Sequence, residues 1–181
     1  MRFNSMLKQD LEEIFKTSNS SDDLFDSFRT AIENKIGDED LYKILLRNKA
    51  LSADEISMFA EKICKEFPNL SYNIYFCVAQ LFESISSYGK YLDRSFVYYT
   101  KAAGRKPTLH EPYMAIAKIY NAEFNIPKFE SIVKAIEDAL PNVDLKSSLC
   151  FALSDLYKKI NNNEKSLDYQ NLGETYQKDG K

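Results

Sequence analysis

Apolar residues recur along this chain three and four positions apart, in blocks divided by short polar breaks, which is the spacing of amphipathic helices. Met6, Leu7, Leu11, Ile14 and Phe15 form a first stripe, closed by the polar run Thr17-Ser18-Asn19-Ser20-Ser21. Leu24, Phe25, Phe28, Ile32 and Ile36 mark a second, and Gly37 is expected to end it as the left-handed residue just past the helix. Leu41, Ile44, Leu45 and Leu46 define a third. Ser52 and Glu55 stand in the S-x-x-E arrangement of a capping box, opening a helix from Ile56 to Phe67 that stops at Pro68-Asn69. Ile74, Val78, Leu81, Phe82 and Ile85 share one face of the next, which turns at Tyr88-Gly89-Lys90 and returns through Ser95 to Ala103.

The remaining pairs follow the same scheme. Thr108 with Glu111 predicts a second capping box, ahead of a helix carrying Tyr113, Ile116, Ala117 and Tyr120. Asn125 and Pro127 are expected to start its partner, whose apolar side is Ile132, Val133, Ile136 and Leu140. Cys150, Leu153 and Tyr157 lead through an Asn161-Asn162-Asn163 turn to Leu167, Tyr169, Leu172 and Tyr176. Lys178 to Lys181 reads as a frayed tail.

Pro107 and Pro141 close two of these pairs 34 residues apart, with matching residues at matching offsets. A helix–turn–helix unit of that period cannot bury its apolar face alone and stacks on its neighbours. Tyr113-x-x-Ile116-Ala117-x-x-Tyr120, closed by Pro141, resembles the tetratricopeptide repeat, as do Ser95, Tyr99, Ala102 and Pro107 in the preceding unit and Cys150-x-x-Leu153-Ser154-x-x-Tyr157 with Ser166 in the last. The resemblance covers residues 71–177 as three repeats (71–107, 108–141 and 142–177), with residues 37–70 as a degenerate fourth copy. It implies an all-α fold of about ten helices, antiparallel hairpins stacked as a short right-handed TPR-like solenoid. Where the family carries small residues at the helix crossing, this chain sets Phe82 opposite Ser95, Ala117 opposite Phe129 and Ser154 opposite Ser166. Exchanging large for small on opposite helices holds the packed volume near constant, and the paired serines should bring the last two helices closest. The stretch from Leu149 to Tyr157 with Ser166-Leu167-Asp168-Tyr169 is also similar, more faintly, to the repeat segment ahead of the catalytic domain in some bacterial sulfotransferases, a domain that has no counterpart in these residues.

Composition narrows the chemistry. The 181 residues suit one domain and carry a net charge of −3, distributed as −4 over residues 1–70 and +1 over the rest, a balance that argues against polyanion binding. Lys90, Arg94, Lys101 and Arg105, with Tyr98 between them, would share one side of a helix that began at Lys90, an arrangement able to grip phosphates and stack bases; on an outward-facing helix the same stripe is simply solvated. Cys64, Cys77 and Cys150 lack metal or redox spacing and read as buried thiols. His110, the single histidine, is expected as a partly exposed first-turn residue, and no phosphate-binding glycine motif occurs. No enzyme activity, cofactor or metal ion is expected. The first sixteen residues lack a signal-peptide core and no apolar run reaches membrane-spanning length, so a cytoplasmic location is the default.

Stacked repeats of this kind expose a groove lined by their first helices. By register, its candidate residues are Glu83, Met114, Lys118, Asn121, Phe151, Asp155 and Lys158. Their mixed charge beside two apolar side chains suits a protein or peptide segment, extended or helical, and makes non-enzymatic protein–protein recognition the expected function. Residues 1–36 serve as a polar cap or, given Met6, Phe15, Phe25 and Phe28, as a homodimer surface. The alternatives are a repeat-type chaperone for a secreted protein and a stand-alone accessory module of a transferase system.

Overall fold

The computed structural model describes the backbone of residues 2–87 and 89–179 and, within that set, the side chains from residue 7 onward. The Met6 side chain, Tyr88 and the Gly180-Lys181 end of the expected tail lie outside the described residues. All regular structure among the described residues is helical: ten α-helices and one 3-10 turn. Where the sequence suggests one domain, the chain divides into two compact units, 1–81 and 82–181. The division falls inside a continuous helix, so no Pro-, Gly- or Ser-rich linker marks it.

The first unit holds α1 (Arg2–Thr17), α2 (Ser21–Glu33), α3 (Glu39–Leu46), α4 (Ala53–Glu66), the 3-10 turn Pro68–Leu70 and most of α5 (Ser71–Ser84). Its helix starts are written in the local sequence. Ser20 caps α2 by accepting from Asp23 N, Asp38 caps α3 through Leu41 N, and Ser52 and Glu55 form the expected reciprocal box on α4. The end of α2 differs from expectation. Lys35 (φ 53°), not Gly37, takes the left-handed position, while Lys35 N bonds Ile32 O and Ile36 N bonds Ala31 O. That pair of bonds is the Schellman pattern. Gly37 instead lies beside Phe67, whose ring carbon would sit 3.1 Å from a Cβ there.

Phe15, Leu24, Phe28, Leu41, Tyr42 and Ile63 are buried in this unit. Phe28 centres an aromatic cluster, its ring 4.5 Å from Phe59 and 6.2 Å from Tyr42. On α1 and α2 the rings of Phe15 and Phe28 are thus buried, and Phe25 is about half exposed. Asn48 ties the far end of α1 in place, its amide donating to Phe15 O at 2.9 Å and Ser18 O at 3.0 Å, carbonyls that the helix end leaves unpaired.

The second unit begins with the last turn of α5 and holds α6 (Leu92–Arg105), α7 (Glu111–Lys118), α8 (Phe129–Ala139), α9 (Lys146–Lys159) and α10 (Asn163–Asp179). Each helix packs on the next, and α7 also on α9. Gly89 (φ 80°) supplies the left-handed residue of the turn before α6. Phe82 and Ser95 are both fully buried, and the Phe82 ring sits 6.0 Å from Tyr91 and 5.6 Å from Tyr98, the residues a turn either side of Ser95.

Two helix starts differ from the sequence reading. Thr108 makes no capping box; His110 is the residue before α7, and Asp144 bonds it from 34 positions away, Oδ1 accepting from His110 N at 3.1 Å. α8 begins at Phe129, not at Asn125. Residues 119–128 form a loop in which Asn121 pairs with Ile126 and Asn125 takes φ 49°. Asparagine side chains offer the backbone local partners that compete with the helical ladder, which ends α7 early. The Asn161–Asn163 turn forms as expected. Asn161 (φ 60°) closes α9, Asn162 N reaches Tyr157 O, and the Asn162 side chain accepts from Lys165 N to open α10.

Candidate functional site

α7 is only eight residues long, started by Glu111 and Pro112, whose fixed φ suits a first helical turn. Met114 and Lys118 stand four apart on it and so share a face. Phe151, Asp155 and Lys158 follow the same rule on α9, which packs against α7. These five residues line one open depression of about 440 Å³, completed by Ala117, Ala152, Leu156 and Lys159. The floor is apolar: Ala117, Ala152 and Leu156 are buried. Two of these three floor positions are alanines, where α7 packs on α9.

The other two expected residues are held elsewhere. Glu83 accepts from the Tyr99 hydroxyl at 2.7 Å, a bond that, after burial, pushes the Tyr99 hydroxyl pKa up. Asn121 is consumed by its loop, its Oδ1 accepting from Glu123 N at 3.0 Å and Phe124 N at 3.3 Å.

Phe151 is positioned by a residue the sequence reading passed over. Gly173, buried on α10, lets the ring lie against the helix backbone: a Cβ there would stand 2.8 Å and 3.0 Å from Phe151 Cε1 and Cδ1 and 3.1 Å from Cys150 Cβ. A lone glycine inside a helix costs about 1 kcal/mol relative to alanine, and that cost is the signal that a packing reason exists. Ser154 and Ser166 complete the contact, Ser154 Oγ donating to Ser166 O at 2.7 Å with the two hydroxyls 3.0 Å apart. The rings of Tyr120, Phe129, Tyr157 and Tyr169 run in series at 5.4, 5.3 and 5.6 Å, joining α8, α9 and α10.

The rim is charged and uncompensated. Lys118, Lys158 and Lys159 are exposed in the last turns of α7 and α9, and Asp155 is the one carboxylate among the lining residues. None of the four forms an ion pair with a described residue.

Other groups with chemical potential are engaged in structure. His110 Nδ1 lies 2.9 Å from Asp144 Oδ1, which also accepts from Leu145 N, so the pair clasps the starts of α7 and α9. Burial pushes the Cys77 and Cys150 thiols up, away from the thiolate form. No group of side chains suited to a metal ion occurs among the described residues. α6 begins at Leu92, leaving Lys90 outside the helix, and Tyr98 is buried, so it presents no stacking face to a base. Lys101 lies over the Tyr98 ring at 5.0 Å. No described helix is long and apolar enough to cross a membrane. No family model, curated protein or solved structure matches the chain.

Proposed function

We propose that this protein is a non-enzymatic recognition module whose second unit binds a protein or peptide segment in the depression between α7 and α9. What supports the reading is one convergence. Five of the seven candidate groove residues line a single depression with an apolar floor and an unpaired charged rim. In this reading α7 with α8 and α9 with α10 are TPR-like hairpins, and the loop at 119–128 is a departure that shortens the groove at Asn121. An apolar floor supplies the driving force for docking, and the charged rim sets register and selects partners.

A photo-crosslinking residue at Met114, compared with one at Met58 in the first unit, tests this in the native host. Adducts with a discrete protein at position 114, absent at 58 and lost in Phe151→Ala, are expected. Equal adduct patterns at both positions would overturn the assignment.

A further inference from the structure

Resting on that reading of the groove, we infer that its occupant is an acidic amphipathic segment, with apolar anchors flanked by carboxylates. The argument is one of charge in a protein that is acidic as a whole. The chain carries a net −3, yet three lysines and one aspartate border this depression. Lys118, Lys158 and Lys159 occupy the last turns of their helices, and each helix end presents roughly half a negative charge. Counting both ends and Asp155 against the three ammonium groups still leaves the rim about one charge positive. The local geometry offers Asp155 partners at i+3 and i+4, Lys158 and Lys159, and an exposed helix commonly closes such a pair. Here it does not close: Asp155 stands apart, and all three ammonium groups remain available to a ligand.

The floor defines the other half of the ligand. Met114 and Phe151 are part-buried above Ala117, Ala152 and Leu156, and methionine adapts its shape to differing apolar partners. A purely acidic tail would leave this surface wet, and a purely apolar one would leave the lysines unanswered. Carboxylates on either side of an apolar stripe satisfy both.

The chain contains four methionines, and Met114 is the one in the groove, while Met58 reports on the first unit. Full-length protein with 13C-methyl methionine is titrated with three synthetic peptides that share one leucine and alanine helical stripe and carry Glu, Gln or Lys elsewhere. The Glu peptide should move Met114 but not Met58, and bind about tenfold more tightly than the Lys peptide, since each exposed ion pair is worth up to about fivefold. In Lys118→Glu/Lys159→Glu the order should invert, which a folding defect would not produce. Equal binding of all three at Met114 would overturn the acidic preference and leave the groove assignment standing. Perturbation of Met58 alone, or of neither methyl, would overturn both. A Met114 signal that shifts on dilution of the protein alone would assign the groove to a second copy and overturn the acidic partner.

Discussion

Adding one methyl group at Gly173 sets two effects of similar size against each other, and the geometry decides between them. Alanine in place of glycine within a helix gains about 1 kcal/mol from backbone propensity. At Gly173 the new methyl would meet Phe151 ring carbons at 2.8 and 3.0 Å and Cys150 Cβ at 3.1 Å. The ring can rotate away, but Cys150 Cβ is fixed to the α9 backbone, so α9 and α10 must part by some tenths of an ångström. Overpacking of this kind costs about 1–3 kcal/mol. The helices there are also joined by the buried Ser154–Ser166 contact, which resists separation. Gly173→Ala should therefore lose about 1 kcal/mol net. Gly104→Ala is the control. Gly104 is exposed in the last turn of α6 with nothing within 4 Å of a new Cβ, so the same substitution should stabilise by up to about 1 kcal/mol. Urea titrations followed by helical circular dichroism, at constant m-value, read both shifts. If Gly173→Ala raises the midpoint as Gly104→Ala does, the close approach of α10 to Phe151 is wrong, and so is the reason Phe151 stands at the groove.

Two further outcomes follow from the first unit. Asn48→Ala deprives Phe15 O and Ser18 O of their donor and should cost about 1–2 kcal/mol in the same titration, whereas Lys49→Ala, one residue on and exposed, should change stability by less than about 0.5 kcal/mol; equal effects would refute the tie to α1. Hydrogen bonds from Lys62 and Lys35 hold the Glu66 carboxyl at about 2 against an ordinary 4.5, so its folded-state pKa is depressed. The stability this confers is complete above pH 4.5 and disappears as pH falls through about 2; carboxyl NMR should show that midpoint, and Lys35→Ala should raise it.

Sequence was legible where the deciding partners are near neighbours. The Ser52–Glu55 box and the Asn161–Asn163 turn form because every group they need lies within a few residues. The same local rules misplaced the stop of α2, where Lys35 tolerates a left-handed backbone because two Schellman bonds hold it, and the start of α7, where no side chain caps the helix and Asp144, 34 positions away, holds His110 N instead. The repeat register that picks Met114, Lys118, Phe151, Asp155 and Lys158 assumes helical spacing, which α7 and α9 keep, so these five share one depression; Asn121 lies beyond the helix that the register assumed. Lys159 carries no local signal that separates it from any other charge on a helix, and Gly173 none because its neighbours, Cys150 and Phe151, lie on another helix.

The stacking of Tyr157 on Tyr169, nearly parallel at 6° with centroids 5.6 Å apart, has an optical consequence. In a chain with twelve tyrosines and no tryptophan, no indole band masks the phenol transitions. Two rings held nearly parallel at this distance couple their excited states, so the hairpin of α9 and α10 carries its own chromophore pair. Opening that hairpin should remove this pair's share of the near-ultraviolet tyrosine ellipticity, without any attached dye.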